Sequence, residues 1–288
     1  MMYPSGDSPV SLEMGEEMSM HAAVSRLSIR DLQNMTARGE RWSMITAYDA
    51  LTASLFDEAG IPALLVGDSA AMVVYGHEST VPVTVDELLP LVAAVRRGSS
   101  RAVVIGDLPF GSYQESPAQA LNTAGRFLKE GGAHAVKLEG GRQVLSQVEA
   151  LAEAGIPVVG HLGLTPQSVN ALGGYRVQGR GESGDRLLQD AKSLEAAGAC
   201  AVVLELVPAE LAHRVSDLLT IPTIGIGAGL GTDAQVIVWQ DLVGLTPPPH
   251  PKFVRPYADI RRTMLDAVRE WNADVISGAY PAAEESYV

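Results

Sequence analysis

The sequence holds a single cysteine, Cys200, in 288 residues. No intrachain disulfide can form, and a four-cysteine zinc site is excluded. Such a chain suits a reducing cytoplasm, which is the expected location. Positive charge is also scarce: 21 Lys and Arg stand against 34 Asp and Glu, a formal net charge of −13, with no basic run. A nucleic-acid-binding surface is therefore not expected, although a local basic pocket is compatible with the count. No stretch reaches the roughly 18 apolar residues of a membrane span. The opening MMYPSGDSPVSLEMGEEMSM is acidic and broken by Pro and Gly, without the basic and apolar regions of a secretory signal. Residues 1–25 read as a disordered tail.

What the sequence does hold is a rhythm. From Trp42 onward, short apolar runs alternate with longer amphipathic ones. The apolar runs are SMITAYD (43–49), ALLVGDS (63–69), AVVIGDLP (102–109), AVKLEGG (135–141), PVVGHLG (157–163), AVVLELVP (201–208), TIGIGAG (223–229) and, weakest, DLVGL (241–245). Helical patterns such as SPAQALNTAGRFLKEGG and GRQVLSQVEALAEAG lie between them, several ending in the Gly that suits a left-handed C-cap. Strands apolar on both faces, each followed by a helix, imply a parallel sheet covered by helices. Eight such units in roughly 250 residues favour a closed (β/α)₈ TIM barrel over an open doubly wound sheet. The open sheet's dinucleotide fingerprint is missing, because GIGAGLG spaces its glycines as G-x-G-x-G. The segment 28–40 predicts an extra helix before the first strand, closing the barrel floor, and 258–278 the last helix. Residues 26–288 are expected to form one catalytic domain.

In a barrel the chemistry sits where strands end. The second run closes with Asp68 and Ser69, the third with Asp107, the fourth with Lys137 and Glu139, the fifth with His161 and the sixth with Glu205. Period-two alternation puts Lys137 and Glu139 on one face. It also aligns Asp107 with Val103 and Ile105, Glu205 with Ala201 and Val203, and, on the same reading, Asp68 with Leu64 and Val66. Taken singly, Asp68 or Asp107 could equally cap a helix, His161 could be structural, and Lys137–Glu139 could be a mutual ion pair. Taken together on consecutive strands, four carboxylates at one mouth would repel unless a cation lay among them. Hard oxygen donors without cysteine point to Mg²⁺. Lys137 suits an anionic substrate, and Glu205, in apolar surroundings, suits a general base. Metal, cation and separate base describe proton abstraction beside a metal-bound carbonyl.

The motifs LVGDS, DLPFGSY, AVKLEGG, GHLGLTPQSVNALGGYRVQGRG, VLELVP and IPTIGIGAG resemble the ketopantoate hydroxymethyltransferase family from about Arg41 to Tyr280. The resemblance implies a Mg²⁺-bearing barrel that transfers a hydroxymethyl group from 5,10-methylenetetrahydrofolate to 3-methyl-2-oxobutanoate, in pantothenate and coenzyme A synthesis. It implies Asp68, Asp107 and Glu139 at the metal, Asp68, Ser69, Asp107 and Lys137 on the substrate, and Glu205 as proton acceptor; His161, from its place at the end of the fifth run, is a secondary candidate. It also implies a homo-oligomer, a decamer of two pentameric rings.

Other readings stand beside it. A lyase or mutase of the phosphoenolpyruvate/pyruvate-type barrels would share the metal and the 2-oxo acid, but its isocitrate-lyase-like members need a cysteine in a mobile loop. A catalytically silent 2-oxo acid binding barrel should have lost the base. GIGAGLG could bind phosphate or merely turn tightly. Residues 163–184, rich in glycine and without apolar period, are expected to form a mobile loop over the mouth. LTPPPHPKFVRPY (245–257) departs from the family pattern in being richer in proline than expected after the last strand.

Overall fold

The computed structural model describes residues 25–287. Apart from Ser25, the expected disordered tail lies outside them. Eight strands form: β1 (Trp42–Thr46), β2 (Ala63–Val66), β3 (Val103–Asp107), β4 (Ala135–Glu139), β5 (Val158–Gly163), β6 (Ala201–Glu205), β7 (Thr223–Ile226) and β8 (Ala234–Ile237). They pair in chain order, all parallel, and β8 returns to β1, closing the barrel. Alternation sorts their side chains into two cores. Met44, Leu65, Val103, Ile105, Ala135, Val159, Val203 and Ile224 fill the lumen. Ile45, Leu64, Val66, Val104, Val136, Leu138, Val202 and Leu204 face the helices. Both faces are dry, which is why the runs read as continuously apolar.

The early helix closes the floor as expected. Ser28 caps Ile29–Ala37 in a reciprocal pair with Asp31, satisfying free N–H groups of the first turn. Leu32, its buried residue, joins Trp42, Ile105 and Val159 at the bottom of the lumen. The Gln33 amide donates to the Cys200 carbonyl at 3.1 Å, and the Trp42 indole to Thr36 Oγ1 at 3.1 Å. All of the lumen's polar machinery is thereby confined to the opposite end.

Three expectations need correction. The run 241–245 is not a strand; it begins within the short helix Trp239–Leu242, and the eighth strand is β8. β8 was masked by Gln235, which interrupts its apolar run. Ala234 and Val236 point into the lumen while Gln235 turns outward and donates to the Gly229 carbonyl and Thr232 Oγ1. Asp68 does not share a face with Leu64 and Val66, which point out to the helices. It lies past the end of β2, in the turn Gly67–Ser69, and reaches the mouth because the chain has left strand alternation there. The segment 163–184 is not wholly irregular: Pro166–Ser168 make a 3₁₀ turn, Val169–Leu172 a helical turn, and from Glu182 the chain belongs to helix Glu182–Ala196. Single turns are too short to leave a period.

The last helix, Ile260–Ser277, buries none of its residues. Among the described residues no helix is long and apolar enough to cross a membrane.

Candidate active site

Asp107, the last residue of β3, and Lys137, in the middle of β4, are register partners. Lys137 Nζ lies 2.7 Å from both Asp107 oxygens, and both side chains are almost wholly buried. Burial works against the ammonium, but Asp107, Glu139 and Asp68 outweigh it and keep Lys137 charged well past the ordinary lysine range. The apparent oddity of a cation and an anion two residues apart in a buried strand is thus resolved by a third side chain. Lys137 pairs with Asp107 rather than with Glu139, whose Oε1 is 3.9 Å away.

Glu139 is the register partner of His161 on β5. His161 Nδ1 stands 3.2 Å from Glu139 Oε1, and Nε2 stands 3.3 Å from Glu205 Oε2. These are charge contacts at angles outside hydrogen bonding, so both ring nitrogens and Glu139 Oε1 lack a hydrogen-bond partner. Burial and Lys137 act to lower the imidazole, yet the two carboxylates prevail and raise it to about 9. Burial likewise acts to raise Glu139, and His161, Lys137 and the Gln167 N–H hold it below the usual carboxylate range. Glu205 has the cationic neighbour that its own strand lacks, and its side chain stays 17% exposed at the cavity. Gly163, its register partner, has φ 95°, and a Cβ there would collide with the Glu205 carbonyl oxygen.

Asp68 faces a different balance. Burial, Asp107 and Glu139 all push it well above the ordinary aspartate range. Its N–H donates to Asp107 Oδ2 at 3.2 Å, and its own Oδ2 accepts from Gln167 Nε2 at 3.0 Å. Neighbouring Ser69 shares a 2.8 Å hydrogen bond with the Tyr48 hydroxyl. The structure therefore gathers Asp68, Ser69, Asp107, Lys137, Glu139, His161 and Glu205 around one cavity of about 800 Å³. Its other walls are mostly apolar, including Met72, Tyr175, Val177, Ile226, Val236 and Phe253. Phe253 and Pro251 come from the proline-rich segment, which thus builds part of the rim. Gly227 and Gly229 also line the cavity at positive φ, and a Cβ on Gly227 would strike Leu206 and Phe253, so the glycine run serves the tight turn.

Two residues at the centre were not legible in the sequence: Gln167 and Tyr113, both buried. Each acts from a loop, where no alternation marks a polar side chain as inward. Cys200, in contrast, lies at the floor, where burial pushes its thiol up to about 12. A lyase needing a cysteine at the mouth finds none among the described residues.

The donor set suits a hard divalent cation in type: three buried carboxylates, one oxygen of Glu139 without a hydrogen bond, and Asp68 disfavoured as an anion by its neighbours. The carboxylates are not gathered at ligand distance, for among the described residues no group of three or more His, Cys, Asp or Glu converges as a metal cluster. Lys137 Nζ donates to both oxygens of Asp107.

Comparison with known proteins decides the family. The family model for ketopantoate hydroxymethyltransferase matches residues 26–283. The chain belongs to the ketopantoate hydroxymethyltransferase family, a family of enzymes. A 3-methyl-2-oxobutanoate hydroxymethyltransferase of Frankia casuarinae is 65% identical, the match covering 91% of this chain and 89% of the relative. One of Thermobifida fusca is 60% identical, over 92% and 95% respectively. Among solved structures, a phosphonopyruvate hydrolase complexed with oxalate and Mg²⁺ superposes with TM-score 0.59 at 13% identity, covering 90% of this chain and 93% of that one. A 2,3-dimethylmalate lyase gives 0.56 at 16%, covering 90% and 91%. At such identities these two speak for the barrel fold alone.

Proposed function

We propose that this enzyme transfers a hydroxymethyl group from 5,10-methylenetetrahydrofolate to 3-methyl-2-oxobutanoate, giving 2-dehydropantoate for pantothenate and coenzyme A synthesis. The names of the close relatives support the reaction. The observation that carries the mechanism is Glu205, a carboxylate at the cavity that stands apart from the Lys137–Asp107 pair and faces His161 at 3.3 Å.

Asp68, Asp107 and Glu139 would hold Mg²⁺, and the bound ion would polarise the 2-oxo group of the acid. Lys137 supplies a fixed positive charge at the base of the site for the anionic substrate, and Ser69, held by Tyr48, offers a hydroxyl beside it. Glu205 takes the proton from carbon 3. His161, charged and wedged between Glu139 and Glu205, steadies both carboxylates and keeps Glu205 aimed into the cavity. Water adds to the one-carbon unit of the folate and supplies the hydroxyl oxygen, and its carbon–nitrogen bonds break as tetrahydrofolate leaves with its nitrogens protonated. The carbanion forms the new carbon–carbon bond to the resulting carbonyl carbon, whose oxygen takes up a proton. The apolar outer walls suit the larger co-substrate.

Glu205→Gln preserves shape and removes basicity. Exchange of the carbon-3 hydrogen of 3-methyl-2-oxobutanoate with D₂O isolates the proton step from the folate. The wild-type enzyme should exchange it only with Mg²⁺ present, and the variant should be slower by about 10²–10⁴-fold while still binding the acid. Exchange at the wild-type rate in the variant would remove Glu205 from this role and leave His161 as the residue to test.

A further inference from the structure

We infer that Gln167 is a positioning residue for the metal-binding carboxylates, linking Asp68 to Glu139 and fixing the direction in which Asp68 presents its remaining oxygen. The inference rests on the reading that these carboxylates hold a divalent cation.

Gln167 sits in the 3₁₀ turn that follows β5, only 5% exposed. Every polar group it points into the site is used. Its backbone N–H donates to Glu139 Oε2 at 3.0 Å. Its Nε2 donates to Asp68 Oδ2 at 3.0 Å and to the Leu108 carbonyl at 2.9 Å. Its Oε1 accepts from the Tyr113 hydroxyl at 2.8 Å and from Gln114 Nε2 at 3.2 Å.

This set leaves the amide one orientation. The Leu108 carbonyl can only accept, so the NH₂ end must face it and Asp68 together. The Tyr113 hydroxyl accepts the Glu139 N–H at 3.0 Å, and its own proton faces Gln167 Oε1 at 2.8 Å more closely than the Glu139 carbonyl at 3.1 Å. Gln147 anchors that tyrosine's loop in turn, donating to the carbonyl of Gln114 at 3.2 Å. A flipped amide would set oxygen against both Asp68 and Leu108. Asp68, lying in a turn rather than on a strand, has no pleat to hold its side chain. Among the described residues Gln167 is the sole side chain that hydrogen-bonds its carboxylate.

Partners that orient metal-binding groups are typically worth 10–100-fold in metal affinity. A residue that only fills space and satisfies buried polar atoms would change folding stability instead. Titration calorimetry of Mg²⁺ alone, or Mn²⁺ alone followed by its spin resonance, into the full chain separates the two. Gln167→Met, folded by circular dichroism, should bind the ion about 10–100-fold more weakly than the wild type. Tyr113→Phe keeps the amide but removes the 2.8 Å donor that holds its oxygen, so it should also weaken binding. The double variant should bind no more weakly than Gln167→Met alone, because Tyr113 acts through the amide. Folded Gln167→Met with wild-type affinity would overturn the inference, and additive losses in the double variant would overturn the linkage through Tyr113. Should Gln167→Met fail to fold, a Tyr113→Phe variant with wild-type affinity would overturn it alone. A wild-type chain that bound neither ion would instead overturn the metal reading itself.

Discussion

His134 stands just ahead of β4, partly buried, and its Nδ1 accepts the Val104 N–H at 2.9 Å. Burial, together with the cations Arg26 and Arg96, lowers its imidazole to about 4. An accepting Nδ1 must also be neutral. An unfolded histidine titrates near 6.5, so between about 4 and 6.5 the unfolded chain binds a proton that the folded one refuses. The neutral-histidine contribution is therefore complete above about 6.5 and lost as pH falls toward 4. Urea unfolding at successive pH values should show a shallower loss of stability across that window in His134→Gln than in the wild type. Equal slopes would exclude His134 as a source. At this scale the sequence was most legible where a polar residue interrupts a buried strand. Lys137, Glu139, Asp107 and Glu205 declared themselves because alternation gives an inward direction and burial makes a charge costly. Asp68 reached the right place for a different reason from the one its spacing suggested. Gln167 and Tyr113 had no such signal, since a loop glutamine or tyrosine looks alike whether it faces solvent or a carboxylate.

The segment between β5 and helix Glu182–Ala196 is the element on which the site most depends. It is fastened near both ends to the strand that carries the base: the Leu164 N–H donates to the Glu205 carbonyl at 2.8 Å and the Gln178 N–H to the Leu206 carbonyl at 2.9 Å. Between these ties Gln167 reaches Asp68 and Glu139, while residues 173–181 carry four glycines at positive φ and expose Tyr175 and Val177. Few buried contacts and many free amides mark a stretch that opens easily. Hydrogen exchange should be fast over 173–181 in the free enzyme and slower with Mg²⁺ and the 2-oxo acid, and unchanged protection would count against a closing loop. The strands themselves were legible in seven of eight cases, because a dry strand under a helix is apolar on both faces. β8 escaped because one outward glutamine cost it half of its pattern.

On the scale of the whole molecule, the barrel's helical layer is uneven. The helix that directly follows β8, Trp239–Leu242, has four residues, and helix Ala50–Glu58, whose Phe56 ring lies 6.2 Å from that of Trp239, leaves Leu51 and Leu55 exposed. Helix Ile260–Ser277 presents Leu265, Val268, Trp271 and Ile276 to solvent. Exposed apolar surface on this scale marks an interaction site. We propose that copies of the chain cover these surfaces for one another, in keeping with the homo-oligomer that the family resemblance implies. Light scattering at micromolar concentration should return a multiple of the single-chain mass, and charge placed at Val268 and Trp271 should lower it; a monomer mass for the wild type would refute the assembly.

The division of β4 into Ala135, Lys137 and Glu139 inward and Val136 and Leu138 outward has a consequence for folding fidelity. A slip of one residue against β3 or β5 would turn every side chain of the strand to the other face. Valine and leucine would then enter the mouth, and Lys137 and Glu139 would be driven beneath the helices without partners, at several kcal/mol for each ion. The charges that equip this barrel for chemistry therefore also act as its alignment pins, and a chain that folds out of register loses its partners and its site in the same step.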